Sequence, residues 1–163
     1  EHEAAGREVM TRGSDRVAVV ECEIDDMNPQ LFGPVMDRLH QVGALDVYYT
    51  PIQMKKGRPA ILVTVLARPA DREAVAETLF RETTTIGLRY HVADRVCLVR
   101  EVVRVSTSLG DARVKRALHH GVEVNASPEF DDCVALAASS GMAIKDVQGL
   151  VMQAYREARE HQS

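Results

Sequence analysis

Residues 45–67, LDVYYTPIQMKKGRPAILVTVLA, contain the pattern that decides the fold. Both ends of this stretch are rich in β-branched and aromatic residues, which favour strands. Between them lies Lys55-Lys56-Gly57-Arg58, a short charged segment with a glycine, which is typical of a turn. We therefore predict two antiparallel strands, 45–54 and 59–67, joined by a tight basic turn.

Elements on either side of this hairpin complete a β-α-β-β-α-β order. Upstream, an alternating strand spans 17–24, and a helix ends at Gly43, either after a short turn at Asn28-Pro29 or with a kink at Pro34. Downstream, a helix begins at Asp71, and a fourth strand spans 87–92. This order predicts a ferredoxin-like α+β unit, in which both helices cover one face of an antiparallel sheet.

A smaller unit with a β-hairpin and two helices is predicted after residue 95. Strands 96–107 and 112–118 form the hairpin, a helix begins at Ser127-Pro128-Glu129, and a last helix begins near Lys145. Within the first unit, Val75, Leu79 and Phe80 are expected to face the core. We divide the chain into a linker or disordered arm at 1–16, the ferredoxin-like subdomain at 17–94 and a C-terminal hairpin and helical subdomain at 95–163.

Composition excludes several classes of protein. The chain has 163 residues, 45% hydrophobic and 27% charged, with a net charge of −4, so neither a disordered protein nor a general nucleic-acid binder is expected. Its longest apolar run, residues 60–67, is too short to cross a membrane. Three isolated cysteines and a polar start without an apolar leader predict buried thiols in the cytoplasm. Because the chain begins with Glu1 rather than Met, we expect it to be the end of a longer protein.

The basic turn is the sharpest chemical feature. Gly57 permits a positive φ, which can direct successive backbone N–H groups toward one point. Lys55, Lys56 and Arg58 could then neutralise a polyphosphate, with arginine as a two-pronged donor and lysines as point charges. The alternative is a solvated basic hairpin, and residue types alone favour that alternative.

Two further clusters carry weaker evidence. Hydroxyls and arginines in the segment 81–89 suit phosphate or ribose, although these residues alone favour a helix end followed by a polar loop. Carboxylates recur in 21–26 and 129–132, where oxygen ligands together with phosphates would suit Mg²⁺ or Mn²⁺. The alternatives are the outer face of a sheet and acids placed favourably at a helix N-terminus.

Taken together, five motifs identify a family. EIDDM (23–27), GALDV (43–47), PIQMKKGRP (51–59), LFRETTTIGLR (79–89) and EFDDC (129–133) occur in that order. The chain resembles the C-terminal domain of the LarC family, the nickel insertion proteins of nickel-pincer cofactor biosynthesis. The resemblance covers about residues 17–155.

The resemblance implies a function. LarC proteins insert nickel into pyridinium-3,5-bisthiocarboxylic acid mononucleotide, in a CTP-dependent, lyase-type reaction that needs Mn²⁺ or Mg²⁺. The product is the cofactor of lactate racemase. The C-terminal domain is implicated in binding metal–CTP, and an upstream domain of the same protein supplies much of the rest. Under this resemblance the nucleotide-binding candidates are Lys55, Lys56 and Arg58, followed by Arg81, Thr84, Arg89 and Lys115. The candidate ligands for the divalent cation are Asp132, then Asp25 and Glu129.

One alternative function and one assembly state complete these expectations. The alternative is a non-catalytic ferredoxin-like module that oligomerises and senses a small ligand. In either case, the long apolar strands of residues 96–118 predict an exposed sheet edge, and hence a homo-oligomer.

Overall fold

The first unit is built on a four-stranded antiparallel sheet. The structure is a computed structural model, and it describes residues 15–160. The elements of this unit are β1 (Asp15–Ile24), α1 (Phe32–Gln41), β2 (Ala44–Gln53), β3 (Pro59–Ala67), α2 (Arg72–Glu82) and β4 (Arg89–Arg95). The strands lie in the order β2-β3-β1-β4, with antiparallel pairing throughout. The ferredoxin-like prediction is therefore confirmed.

The core of this unit lies between the sheet and its two helices. Alternate residues of β1, such as Val20 and Cys22, are buried together with Leu39 of α1 and Leu79 of α2. The predicted inward position of Phe80 is wrong, because its side chain is 48% exposed. The buried stripe of α2 consists of Val75, Thr78 and Leu79, and Phe80 lies about 100° further round the helix, outside that stripe.

A separate turn starts α1. One turn of 3₁₀ helix, Pro29–Leu31, precedes the helix, and the Asn28 side chain accepts a hydrogen bond from the Gln30 N–H at 3.0 Å. Pro34 lies in the first turn of α1, where a missing N–H costs little. Of the two alternatives considered for this segment, the short turn before the helix is therefore the observed one.

The second unit contains a strand that the sequence analysis did not predict. Its elements are β5 (Val99–Thr107), β6 (Gly110–His119), β7 (Val122–Pro128), α3 (Phe130–Ser140) and α4 (Ile144–Glu160). These three strands form an antiparallel sheet in the order β5-β6-β7, so the predicted hairpin is extended by β7. The core includes Val114, Cys133 and Val151.

The predicted helix start at Ser127-Pro128 is wrong. Ser127 pairs with Lys115, and Pro128 pairs with Val114, as the last residues of β7. Proline is tolerated there because β7 is an edge strand, where a missing donor leaves no partner unsatisfied. The helix follows Glu129, whose N–H donates to the Arg113 carbonyl at 2.8 Å.

The described residues fall into two compact units, 15–96 and 97–160. A linker or disordered arm was predicted over residues 1–16, of which residues 1–14 lie outside the described residues. Asp15 and Arg16 instead belong to β1 and pair with β4. Within residues 15–160, no helix combines the length and the apolar character needed to span a membrane.

Candidate functional site

The basic turn has an unusual backbone. Lys55–Gly57 forms one turn of 3₁₀ helix between β2 and β3, closed by a hydrogen bond of 2.8 Å from the Met54 N–H to the Arg58 carbonyl. Lys56 has φ 60° and ψ 22°, and Gly57 has φ 68°. A left-handed conformation is routine for glycine but costs an ordinary residue roughly 1–2 kcal/mol. The fold therefore holds Lys56 in a backbone conformation that is unfavourable for a residue other than glycine.

The three cations of the turn differ in their partners. Lys55 and Lys56 are exposed, and neither forms an ion pair with any residue in the part of the chain that the structure describes. Arg58 lies 3.4 Å from a carboxylate oxygen of Asp25, just beyond the end of β1. Both ammonium groups are therefore available to an anionic ligand, and Arg58 is oriented by Asp25.

The acids of β1 are neutralised from β4. Arg89 lies directly opposite Glu21 in the β1–β4 ladder, and its Nε donates to Glu21 at 3.1 Å. A second nitrogen of the same guanidinium donates to Glu23. Arg89, predicted as a nucleotide contact, is therefore engaged with two carboxylates of its own sheet.

The segment after α2 reaches the same end of β1. The Thr84 hydroxyl donates to Asp26 at 2.6 Å, next to the Asp25 that holds Arg58. Arg81 instead donates to Glu82 at 2.9 Å, and Glu82 also accepts from Arg38 of α1 at 3.0 Å. Arg58 and Thr84 thus contact consecutive acids after the end of β1, whereas Arg81 takes part in a separate ion-pair group.

The remaining predicted residues lie in the second unit. Lys115 forms an ion pair of 2.9 Å with Glu129. Asp132 accepts three hydrogen bonds of 2.8–2.9 Å from Arg113, two from its guanidinium and one from its backbone N–H. These bonds lower the pKa of Asp132 to about 2. Asp132 therefore ties the first turn of α3 to β6.

Arg113 is not among the residues that the sequence predicted for the site. It shares a face of β6 with Lys115, because residues two apart on a strand point the same way. The sequence pattern that could have indicated an ion pair here is the two cations on β6, followed by a helix, α3, with acids in its first turn.

Within the part of the chain that the structure describes, side chains alone do not form a metal site. Among residues 15–160, no group of three or more histidine, cysteine, aspartate or glutamate side chains is placed to hold a metal ion. Asp25, Glu129 and Asp132 each contact a cationic side chain instead. A Mg²⁺ ion that arrives with phosphate oxygens needs only one or two carboxylates from the protein. Of the three acids, Asp25 is the one that contacts the basic turn.

The first unit also contains an apolar cavity of about 280 Å³, which the sequence did not predict. Pro29, Phe32, Tyr49 and Ile61 line it. The rings of Phe32 and Tyr49 meet edge to face, with centroids 5.1 Å apart, and the Tyr49 hydroxyl donates to the Phe32 carbonyl at 2.5 Å. Burial raises the pKa of Tyr49 to about 12.

The chain is similar to proteins named for nickel insertion. A Myxococcus xanthus protein so named is 45% identical over 136 residues, which are 83% of this chain and 35% of that protein. The pyridinium-3,5-bisthiocarboxylic acid mononucleotide nickel insertion protein of Thermotoga petrophila is 41% identical over 149 residues, 91% of this chain and 37% of that protein. The chain thus spans about a third of the length of these curated relatives.

A solved structure and a family model agree with these relatives. The structure is that of LarC2, described as the C-terminal domain of a cyclometallase involved in the synthesis of the NPN cofactor of lactate racemase, in its apo form. It superposes with a TM-score of 0.82 at 37% identity, covering 87% of this chain and 98% of that chain. The model of the family described as nickel insertion protein matches residues 6–148. The chain therefore belongs to the nickel insertion protein family.

Proposed function

We propose that this chain is the CTP-binding domain of a nickel insertase that inserts nickel into pyridinium-3,5-bisthiocarboxylic acid mononucleotide, forming the nickel-pincer cofactor of lactate racemase. The name of the Thermotoga petrophila relative supports the substrate, and the description of LarC2 supports the pathway. The aligned segment makes up only 35% of the Myxococcus xanthus relative and 37% of the Thermotoga petrophila relative, so we propose that an upstream domain of the same protein contributes to the reaction.

The observation that carries the nucleotide proposal is the basic turn. Two exposed lysines without a carboxylate partner among the described residues stand beside an arginine that Asp25 holds in place. Positive φ at both Lys56 and Gly57 is what a tight β-hairpin turn requires, and this turn keeps three cationic side chains within four residues of each other. The overall charge of −4 makes this local concentration of positive charge more distinctive.

The chemistry expected of these residues is electrostatic. If CTP activates the phosphate of the mononucleotide, negative charge builds on the α- and β-phosphates, and fixed cations offset it. Lys55, Lys56 and Arg58 would bind the triphosphate, with the hydroxyl of Thr84 beside them. Arg81, Arg89 and Lys115 remain secondary candidates, because each forms an ion pair of 3.1 Å or less with a carboxylate, shorter than the 3.4 Å contact between Arg58 and Asp25.

A divalent cation, Mn²⁺ or Mg²⁺, would accompany the triphosphate and neutralise part of its charge. Asp25 is the best placed of the three proposed ligands, since it already contacts the basic turn. Glu129 and Asp132 remain proposed ligands in the second unit. Nickel enters this scheme as the substrate.

We further propose that the protein is a cytoplasmic homo-oligomer. Cys22, Cys97 and Cys133 are all free thiols, which suits a reducing compartment. Valines on β5 and β7 are exposed, among them Val102 and Val124, at 58% and 55%. Exposed apolar side chains on an open sheet are typical of a surface that another copy covers.

Isothermal titration tests the nucleotide proposal. CTP, ATP and GTP are titrated into the wild-type chain with and without Mn²⁺, and tight binding is expected for Mn²⁺–CTP. Lys55→Ala and Arg58→Ala should each weaken that binding about 10- to 100-fold, the equivalent of one charged hydrogen bond. Lys145→Ala, which removes an exposed lysine of α4, is the matched control. Wild-type affinity in both turn variants would end the proposal.

A further inference from the structure

The tip of the hairpin between β6 and β7 carries two histidines. β6 ends at His119, β7 begins at Val122, and His120 and Gly121 form the two-residue turn between them. His120 has φ 51° and Gly121 has φ 78°, and positive values at both positions are what a type I′ turn requires. Histidine is one of the few residues besides glycine that are enriched at such φ values. The short sequence HHGV therefore forms a tight turn with two imidazole side chains.

This turn brings the two imidazole rings together. Neighbouring residues on a strand point to opposite faces of the sheet, so a regular strand would keep the rings apart. Because the backbone leaves the strand at His120, the two ring centroids instead lie 4.2 Å apart, with 60° between the ring planes. Both residues are exposed, and within residues 15–160 neither ring forms a hydrogen bond or an ion pair. The ring nitrogens therefore have no competing partner in this part of the chain.

The spacing of the rings suits two ligands of one metal ion. Imidazole nitrogens bind a first-row metal ion at about 2.1 Å, and each nitrogen lies about 1.1 Å from the centroid of its ring. Two rings bound at right angles around one ion would therefore have centroids about 4.5 Å apart, close to the 4.2 Å between His119 and His120. Binding of a metal ion here requires rotation of the side chains and little movement of the backbone.

The chemistry of the two side chains narrows the choice of ion. Imidazole suits Ni²⁺, Cu²⁺ and Zn²⁺, whereas Mg²⁺ and Mn²⁺ prefer oxygen ligands. The histidine pair therefore differs in kind from the carboxylates proposed for the cation that accompanies the triphosphate. Among the ions that imidazole prefers, Ni²⁺ is the one after which the family of this chain is named.

We infer that His119 and His120 together bind one Ni²⁺ ion, with water molecules as its remaining ligands. Two side chains do not enclose an ion, in contrast to structural metal sites, which are closed by four protein ligands. The bound nickel therefore stays exchangeable, as a metal that is passed on must be. Binding of Ni²⁺ to the pair requires no nucleotide, whereas use of the pair as an entry point for substrate nickel rests on the proposed function.

The test compares two variants of the pair with a matched control. NiCl₂ is titrated calorimetrically into the wild-type chain, His119→Gln, His120→Asn and the control His91→Asn, which removes an exposed histidine of β4. Asparagine is chosen at position 120 because it also tolerates a positive φ and should keep the turn. Each variant of the pair should weaken Ni²⁺ binding about 100-fold, the low end of what linking two binding groups adds.

The control and a second metal sharpen the result. His91→Asn should bind Ni²⁺ as the wild type does, and all other histidines are unchanged in the two variants of the pair, so nickel bound elsewhere is common to these titrations. MnCl₂ should not bind to the pair. Wild-type Ni²⁺ affinity in both His119→Gln and His120→Asn would overturn the inference, and so would an equal loss in His91→Asn.

A measurement on wild-type protein covers the case in which the variants do not fold. Ni²⁺ with water and imidazole ligands is paramagnetic and broadens the NMR signals of nearby protons. Substoichiometric NiCl₂ should therefore broaden the ring-proton signals of His119 and His120 before those of His91. Equal broadening of all three histidines would overturn the inference.

Titration with Mn²⁺–CTP separates this inference from the proposed function. If the wild type does not bind Mn²⁺–CTP but loses Ni²⁺ affinity when either histidine of the pair is replaced, the nucleotide proposal fails and the nickel site stands. If the wild type binds Mn²⁺–CTP but both variants of the pair keep full Ni²⁺ affinity, the nickel site is overturned and the nucleotide proposal stands.

Discussion

Replacing Lys56 separates the two roles that the structure gives to this residue. Its ammonium group is exposed and available to a triphosphate, while its backbone has the left-handed values φ 60° and ψ 22°. Lys56→Ala removes the ammonium group and keeps a side chain that disfavours this conformation. Lys56→Gly removes the same group and also relieves the backbone strain.

The expected magnitudes follow from these two roles. Both variants lose one charged contact of roughly 1.5–3 kcal/mol, so both should bind Mn²⁺–CTP about 10- to 100-fold more weakly than the wild type. The left-handed conformation costs an ordinary residue about 1–2 kcal/mol, and the greater unfolded-state freedom of glycine takes back about 0.5–1 kcal/mol. Lys56→Gly should therefore be more stable than Lys56→Ala by about 0.5–1 kcal/mol.

Calorimetry and thermal unfolding measure the two effects on the same samples. For a unit of 60–100 residues, 1 kcal/mol corresponds to about 4–8 °C, so the glycine variant should unfold a few degrees above the alanine variant. A lower unfolding temperature for Lys56→Gly would show that the turn does not hold this residue in a left-handed conformation. Unchanged CTP affinity in both variants would show that the ammonium group binds no phosphate.

Two further predictions concern the acids. Asp25→Asn releases Arg58 from its ion pair and removes the best placed ligand for the divalent cation. CTP should therefore bind a few-fold more tightly in the absence of metal, and the gain in affinity from adding Mn²⁺ should be smaller than in the wild type. An equal change in CTP affinity with and without Mn²⁺ would contradict this prediction. Asp132→Asn should lower the stability at pH 7 by about 1–2 kcal/mol, since it breaks the ion pair with Arg113. Because the hydrogen bonds from Arg113 lower the pKa of Asp132 from its usual 3.8 to about 2, this stabilisation is full above about pH 5 and is lost as the pH falls toward 2. The urea-unfolding curves of the wild type and Asp132→Asn should therefore converge in acid, and a difference that persists at about pH 2 would refute the assignment.

The elements of the first unit were predictable because each rests on local signals. Alternation of apolar residues defines β1, a glycine and three cations mark the turn between β2 and β3, and Gly43 ends α1. Such signals depend on residues within one or two turns of each other, so the sequence displays them directly. The element order then restricts the topology to the ferredoxin-like arrangement.

Long-range pairing decided what local signals could not. Ser127 and Pro128 have the composition of a helix start, but they extend β7 because β6 offers them a ladder of partners. Likewise, the family resemblance implied that Arg58 and Arg89 were candidate phosphate ligands, yet only the tertiary fold shows that Arg58 contacts Asp25 and that Arg89 pairs with Glu21 and Glu23.

The sequence by itself therefore determined the order of the elements in the first unit and the position of the basic turn. Tertiary structure decided which of the turn's cations already have a carboxylate partner, and it brought Phe32 and Tyr49 together to line the apolar cavity. The physical reason is that periodicity and turn chemistry act between neighbours in the chain. Ion pairs and cavities instead join residues far apart in sequence, such as Asp25 with Arg58, whose distance is set by strand register.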